Sequence, residues 1–110
     1  MDILRFIKNF KENNPEAIED CFMNGNCYWF ARILKEATEY DIGYFSGYIM
    51  YDPVLNHFYF YFTPTYKYYD IRGEVHPDPK DLVVWDDYCY KKILDAGRVF
   101  DNCILKGAST

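Results

Sequence analysis

Asn24-Gly25-Asn26-Cys27-Tyr28-Trp29-Phe30-Ala31-Arg32-Ile33-Leu34 reads as a loop feeding a helix whose first residue is a cysteine. Gly25 gives the turn its freedom. Asn26 is the predicted N-cap, with its side-chain oxygen accepting an orphan backbone N–H. Behind it, Tyr28, Trp29, Phe30, Ala31, Ile33, Leu34 and Ala37 leave only Arg32, Lys35, Glu36 and Glu39 for water. A helix apolar on most sides is buried in the middle of a domain, and this pattern runs to about Tyr40. Cys27 then reads two ways. At a helix N-terminus the macrodipole favours thiolate, the condition a nucleophile needs. Free cysteine is also among the most buried residue types, a small hydrophobe that suits a core helix.

Outward from this helix the chain has room for one domain, spanning 1–110. Upstream, Ile3, Phe6, Ile7 and Phe10 recur at helical spacing, predicting a helix over 2–12. Asn14 as N-cap and Pro15 at the first helical position predict a short helix over 15–22. Downstream, β-prone residues fill 42–51, with Gly43 and Gly47 as bends or bulges. After the turn signal Asp52-Pro53, His57-Phe58-Tyr59-Phe60-Tyr61-Phe62 is the plainest strand in the sequence. Thr63-Pro64-Thr65 breaks it, 66–72 continues as a third strand, and Gly73 ends that one. The two prolines in Val75-His76-Pro77-Asp78-Pro79 predict an extended loop. Asp86 or Asp87 caps a further helix through Leu94, and 98–105 closes the chain as a strand. The fold class is α+β: N-terminal helices, then a central Cys-bearing helix on an antiparallel sheet of about four strands.

Composition narrows the function. Half the residues are apolar and 21% aromatic, with 12 tyrosines and 9 phenylalanines, enough for a filled core and aromatic rings beyond it. The formal charge is −5 and no basic run exists, which argues against a nucleic-acid partner. The amphipathic start lacks a signal peptide, and no apolar stretch has the length to span a bilayer, so no membrane role and a cytoplasmic location are expected. Cys21, Cys27, Cys89 and Cys103 should then be reduced. Their spacing holds no C-x-x-C pair, so neither a metal site nor another cofactor is expected.

The hairpin after His57 turns a lone cysteine into a constellation. Facing residues of an antiparallel pair have numbers with a constant sum. A turn centred on Thr63-Pro64 makes that sum 127 and sets His57 opposite Asp70. Tyr59 and Tyr61 would share their face with Tyr68 and Tyr66, ready to line a substrate groove, while Phe58, Phe60 and Phe62 point to the core. A carboxylate beside a histidine orients the ring and stabilises its protonated form, leaving the other nitrogen for a nucleophile. A structural His–Asp pair fits the same spacing. His76 lies in a loop, Asp20 on a solvated face, and Trp29 in the core.

Gly25-Asn26-Cys27-Tyr28-Trp29-Phe30-Ala31, then Asn56-His57-Phe58, then Tyr68-Tyr69-Asp70-Ile71-Arg72-Gly73, resembles the papain-like cysteine hydrolase superfamily, closest to its compact NlpC/P60-like members and small phage-borne proteins. The resemblance implies Cys27 as nucleophile, His57 as general base and acid, and Asp70 as the residue that orients it. No glutamine stands where papain-type enzymes place an oxyanion donor. Asn24 or Asn26 could substitute, together with the Cys27 backbone N–H, and Asn24 is the expected donor because Asn26 is wanted as the cap. The expected function is cleavage or acyl transfer at a peptide or amide bond. The alternative keeps the fold without the chemistry: a binding module or inhibitor, phage-encoded, that meets a protein partner through a tyrosine-rich surface.

Overall fold

A computed structural model describes residues 1–14, 22–23 and 26–85. Helix α1 (Ile3–Asn13) begins at Asp2, whose side chain accepts from the Arg5 N–H, and buries Ile3, Ile7 and Phe10. Helix α2 (Cys27–Ile42) buries Cys27, Tyr28, Phe30, Ala31, Ile33, Leu34 and Thr38. The strands are β1 (Gly47–Asp52), β2 (His57–Phe62), β3 (Lys67–Asp70), β4 (Gly73–Val75) and β5 (Val83–Val84), with a 3-10 turn at Pro79–Asp81 before the last. They form one antiparallel sheet in the order β4-β3-β2-β1-β5. This is an α+β fold.

The helices and the sheet meet in an aromatic core. Phe10, Phe22 and Phe30 close a triangle with centroids 5.2–6.0 Å apart. Phe58, Phe60 and Phe62 are buried as alternation predicts, and Tyr28 meets Phe58 edge-on at 5.1 Å. Trp85, just past β5, closes the far end against Tyr51 and Phe58. The expected core residues Phe30, Leu34, Phe58 and Phe60 are all buried. Each such burial contributes roughly 1.5–3 kcal/mol before entropy.

Four boundaries differ from the sequence reading. The first strand starts at Gly47, because α2 continues to Ile42 and ends on Gly43, whose φ of 83° makes it the left-handed C-cap. Gly47 is in the strand for a different reason. A Cβ there would sit 1.9 Å from the Tyr61 carbonyl oxygen, so only glycine lets β1 approach β2. The predicted strand 66–72 is two strands: Tyr66 belongs to the preceding turn, and Ile71-Arg72 turns the chain back so that Gly73 opens β4. The fourth difference is β5, too short for a sequence signal, which pairs Met50 and Tyr51 with Val84 and Val83. The predicted helices over 15–22 (apart from Phe22) and from Asp86 or Asp87 to Leu94, and the strand over 98–105, lie outside the described residues.

Candidate functional site

Cys27 is the first residue of α2, 6% exposed, with its thiol free of any disulfide. Asn26 holds the N-cap position, and its carbonyl accepts from the Trp29 and Phe30 N–H groups. Its side chain makes no capping hydrogen bond, contrary to the sequence expectation. The backbone explains this: ψ is 17°, not the extended value that turns a capping side chain onto the first-turn N–H groups.

His57 opens β2 directly after a braced turn. Asp52 Oδ1 accepts the Val54 and Leu55 N–H groups at 2.9 and 3.1 Å, and Asn56 adopts a left-handed φ of 53° while accepting from Tyr51 Oη. Asp52 also pairs with His57 across β1 and β2. The imidazole is buried, its Nε2 lies 2.9 Å from Asp70 Oδ2, and Tyr59 packs against it edge-on at 4.7 Å.

The pair meets in a register other than the one expected. Phe60 faces Tyr69, Tyr61 faces Tyr68 and Phe62 faces Lys67, so partner numbers sum to 129, not 127. The turn takes four residues, Thr63 to Tyr66, because Tyr66 accepts a left-handed φ of 58° and its N–H reaches the Phe62 carbonyl. Continued along the strands, this register sets Asp70 opposite Tyr59, and His57 reaches it diagonally. A slip of one residue would have put the two on opposite faces; a slip of two restores the face. Tyr66 is accordingly exposed in the turn, not across from Tyr61, and Tyr59 is buried against the histidine, not lining an open groove. Tyr61 and Tyr68 do pack against each other, with ring centroids 4.8 Å apart and planes tilted by 51°.

The electrostatics favour a charged pair. Burial works against a proton on His57, but hydrogen bonds to Asp70 and to the Cys27 side chain, with the attraction of both groups, outweigh it and raise its pKa to about 9. Asp70 engages Nε2, and Nδ1 is the ring nitrogen it does not engage. Burial would likewise raise the Asp70 carboxyl; hydrogen bonds from His57 and from the Arg72 side chain and backbone hold it below the ordinary range instead. Cys27 and His57, the first residues of α2 and β2, thus meet at the start of both elements, and Asp70 backs the ring from β3.

Arg72 is a member of the site to which the sequence assigns no role. Its backbone N–H donates to Asp70 Oδ1 at 2.8 Å, and its guanidinium reaches both carboxylate oxygens. An Asp followed two residues on by a cation across a tight turn is the signal that could have found it. His76 is exposed, 3.5 Å from Glu74. Among the described residues no group of three or more His, Cys, Asp or Glu is gathered to hold a metal ion, and no helix is long and apolar enough to cross a membrane. Asn24, Asp20, Asp86, Asp87, Cys21, Cys89 and Cys103 lie outside the described residues.

A family model described as phage YunG-like protein matches residues 3–99, and the chain belongs to that family. Comparison with curated proteins and with solved structures gives no match.

Proposed function

We propose that this chain is a papain-like, cysteine-dependent hydrolase or acyl transferase acting on an amide or peptide bond. What carries the reading is His57, held between the Cys27 side chain and the Asp70 carboxylate. With the ring protonated, the sulfur is available as thiolate and attacks the carbonyl carbon. The C–S bond forms and the carbonyl π electrons pass to oxygen. The Cys27 N–H, which as the first of a helix has no intrahelical acceptor, and the Asn24 side chain are the donors assigned to that oxyanion. His57 then gives its proton to the leaving nitrogen as the C–N bond breaks, producing a thioester and an amine. In the second half His57 takes a proton from water, or from an acceptor amine, as it attacks the thioester, and the C–S bond breaks to restore thiolate and imidazolium. Asp70 keeps the ring oriented and charged throughout. The formal charge of −5 and a thiol that must stay reduced suit a peptide or amide substrate in a cytoplasm and no nucleic acid.

Brief exposure to iodoacetamide at pH about 6, followed by mass spectrometry, tests this. An ordinary thiol, with a pKa near 8.5, is almost wholly protonated there, so alkylation at Cys27 ahead of Cys21, Cys89 and Cys103 is the expected result. Equal rates would sink the nucleophile. A second reading, a binding module without catalysis, then takes over. It is favoured by the exposed rings of Tyr44, Phe45 and Tyr48, the last two packed at 4.9 Å, which offer an aromatic face to a protein partner.

A further inference from the structure

The Asp70 carboxylate is buried, and both of its oxygens are engaged from one side by a residue only two positions away. We infer that Arg72 is a positioning residue for the proposed thiol chemistry: its guanidinium fixes the plane of the Asp70 carboxylate so that Oδ2 faces His57 Nε2. The inference rests on the hydrolase reading for its consequence in catalysis, but the positioning itself is a property of the Arg72–Asp70–His57 chain.

Two roles compete for this arginine, and the hydrogen bonds separate them. If residue 72 only shaped the β3–β4 turn, its backbone N–H to Asp70 Oδ1 would suffice, and every residue except proline carries that donor. The side chain does something the backbone does not. Arg72 Nε lies 3.2 Å from Oδ1 and 3.0 Å from Oδ2, and Nη2 also donates to Oδ2, the same oxygen that meets His57. A carboxylate on a short side chain can rotate about its last bond, and the N–H to Oδ1 alone does not stop that rotation. A planar guanidinium spanning both oxygens does. The arginine side chain is 43% exposed while the carboxylate is 4% exposed, so the cation is anchored at the rim and reaches inward. Tyr59, buried beside the His57 ring, is electrostatically coupled to the same guanidinium.

Arg72 also opposes His57 as a charge, and this gives the inference a sign. A cation that merely shared Asp70 would compete with the imidazolium, so its removal would raise the histidine's affinity for a proton or leave it alone. A cation that positions Asp70 has the reverse effect, because without it the carboxylate turns from Nε2 and the imidazolium loses its main partner. The groups to which His57 answers are Cys27 at the start of α2, Asp52 across β1, Tyr59 on its own strand, Asp70 on β3 and Arg72 in the turn. Of these, only Asp70 and the Arg72 side chain are linked by direct ion pairing.

The test compares the full chain with Arg72→Gln and Arg72→Lys. Histidine proton resonances followed against pH report the His57 midpoint, and alkylation by iodoacetamide at pH about 6 reports Cys27. In Arg72→Gln the His57 midpoint should fall toward 6.5, and the Cys27 rate should drop roughly tenfold to a hundredfold, the scale set by a small misplacement of a reacting group. Arg72→Lys keeps the charge without the fork and should recover only part of both. A midpoint that rises or stays in Arg72→Gln overturns the inference, as does full wild-type behaviour in Arg72→Lys; should the glutamine variant not fold, the lysine variant decides alone. If wild-type Cys27 shows no advantage over the other cysteines, the hydrolase reading fails, while the fall of the His57 midpoint still reads the positioning by itself.

Discussion

His57 and Asp70 are hydrogen-bonded at 2.9 Å although they are not cross-strand partners; the contact is diagonal, two residues off the register of β2 and β3. A diagonal contact is long for two short side chains, and it closes because both residues stand at the ends of their strands, where Asp70 is also drawn by the turn that follows. His57→Ala should therefore abolish the preferential alkylation of Cys27 at pH about 6. Asp70→Asn should weaken it without removing it, since an amide in the same place still fills the space but offers the ring no charge. Rates from peptide mass mapping of the three proteins check the order wild type, Asp70→Asn, His57→Ala.

The same pair makes stability depend on pH at both ends. His57 has its pKa raised from 6.5 to about 9 on folding, so its contribution is complete below pH about 6.5 and is lost as pH rises through about 9. Asp70 is shifted the other way, so its contribution is complete above the ordinary carboxylate range and is lost as pH falls through its lowered value. Thermal midpoints recorded from pH about 3 to about 10 should form a plateau between these limits. His57→Gln should flatten the alkaline limb and also shrink the acid limb, because the His57 hydrogen bond is the foremost of the contacts that hold the Asp70 carboxyl low; the Arg72 contacts should preserve the remainder.

How far the sequence foretold this arrangement follows from the range of each interaction. Strand β2 was legible to the residue because His57 to Phe62 alternate without a break, and α1 was legible because four apolar residues repeat at helical spacing. The shared face of His57 and Asp70 was legible too, through a parity that a two-residue error in the turn leaves unchanged. The register itself was hidden, since it hangs on Tyr66 adopting a φ that tyrosine seldom takes. The β3–β4 turn was hidden in a different way: Ile71 is fully buried and β-prone, so it reads as strand, while the Asp70 side chain folds back onto the Arg72 N–H and turns the chain. The pairing of β5 with β1 depends on two valines and a distant edge, which no local pattern encodes.

Phe60 tests the core. It is fully buried in the central strand of the described sheet and packs on Phe62 at 5.9 Å. Phe60→Ala should cost about 3–5 kcal/mol, with the spread set by how far the neighbouring rings close the cavity. Urea unfolding followed by tyrosine and tryptophan fluorescence measures it, and a loss below about 1 kcal/mol would contradict the assigned packing.

Two glycines separate close approach from backbone strain. Gly43 takes a left-handed φ of 83°, and a methyl group there would meet nothing within 4 Å. Gly43→Ala therefore carries only the conformational penalty, about 1–2 kcal/mol. Gly47 has an ordinary φ, but a Cβ would lie 1.9 Å from the Tyr61 carbonyl oxygen and 3.1 Å from a Phe60 ring carbon. The obstacle is backbone of the paired strand, which cannot swing aside as a side chain would. Gly47→Ala must therefore push β1 away from β2 along the pair that carries His57 and Asp52. Its cost should exceed that of Gly43→Ala, and it should also slow Cys27 alkylation at pH about 6, because displacement of β2 moves His57 relative to α2. Gly43→Ala lies at the opposite end of α2 from Cys27 and should leave that rate unchanged. Parallel urea titrations and alkylation rates of the two variants check both halves, and equal effects on the thiol would argue that the strand pairing does not support the site.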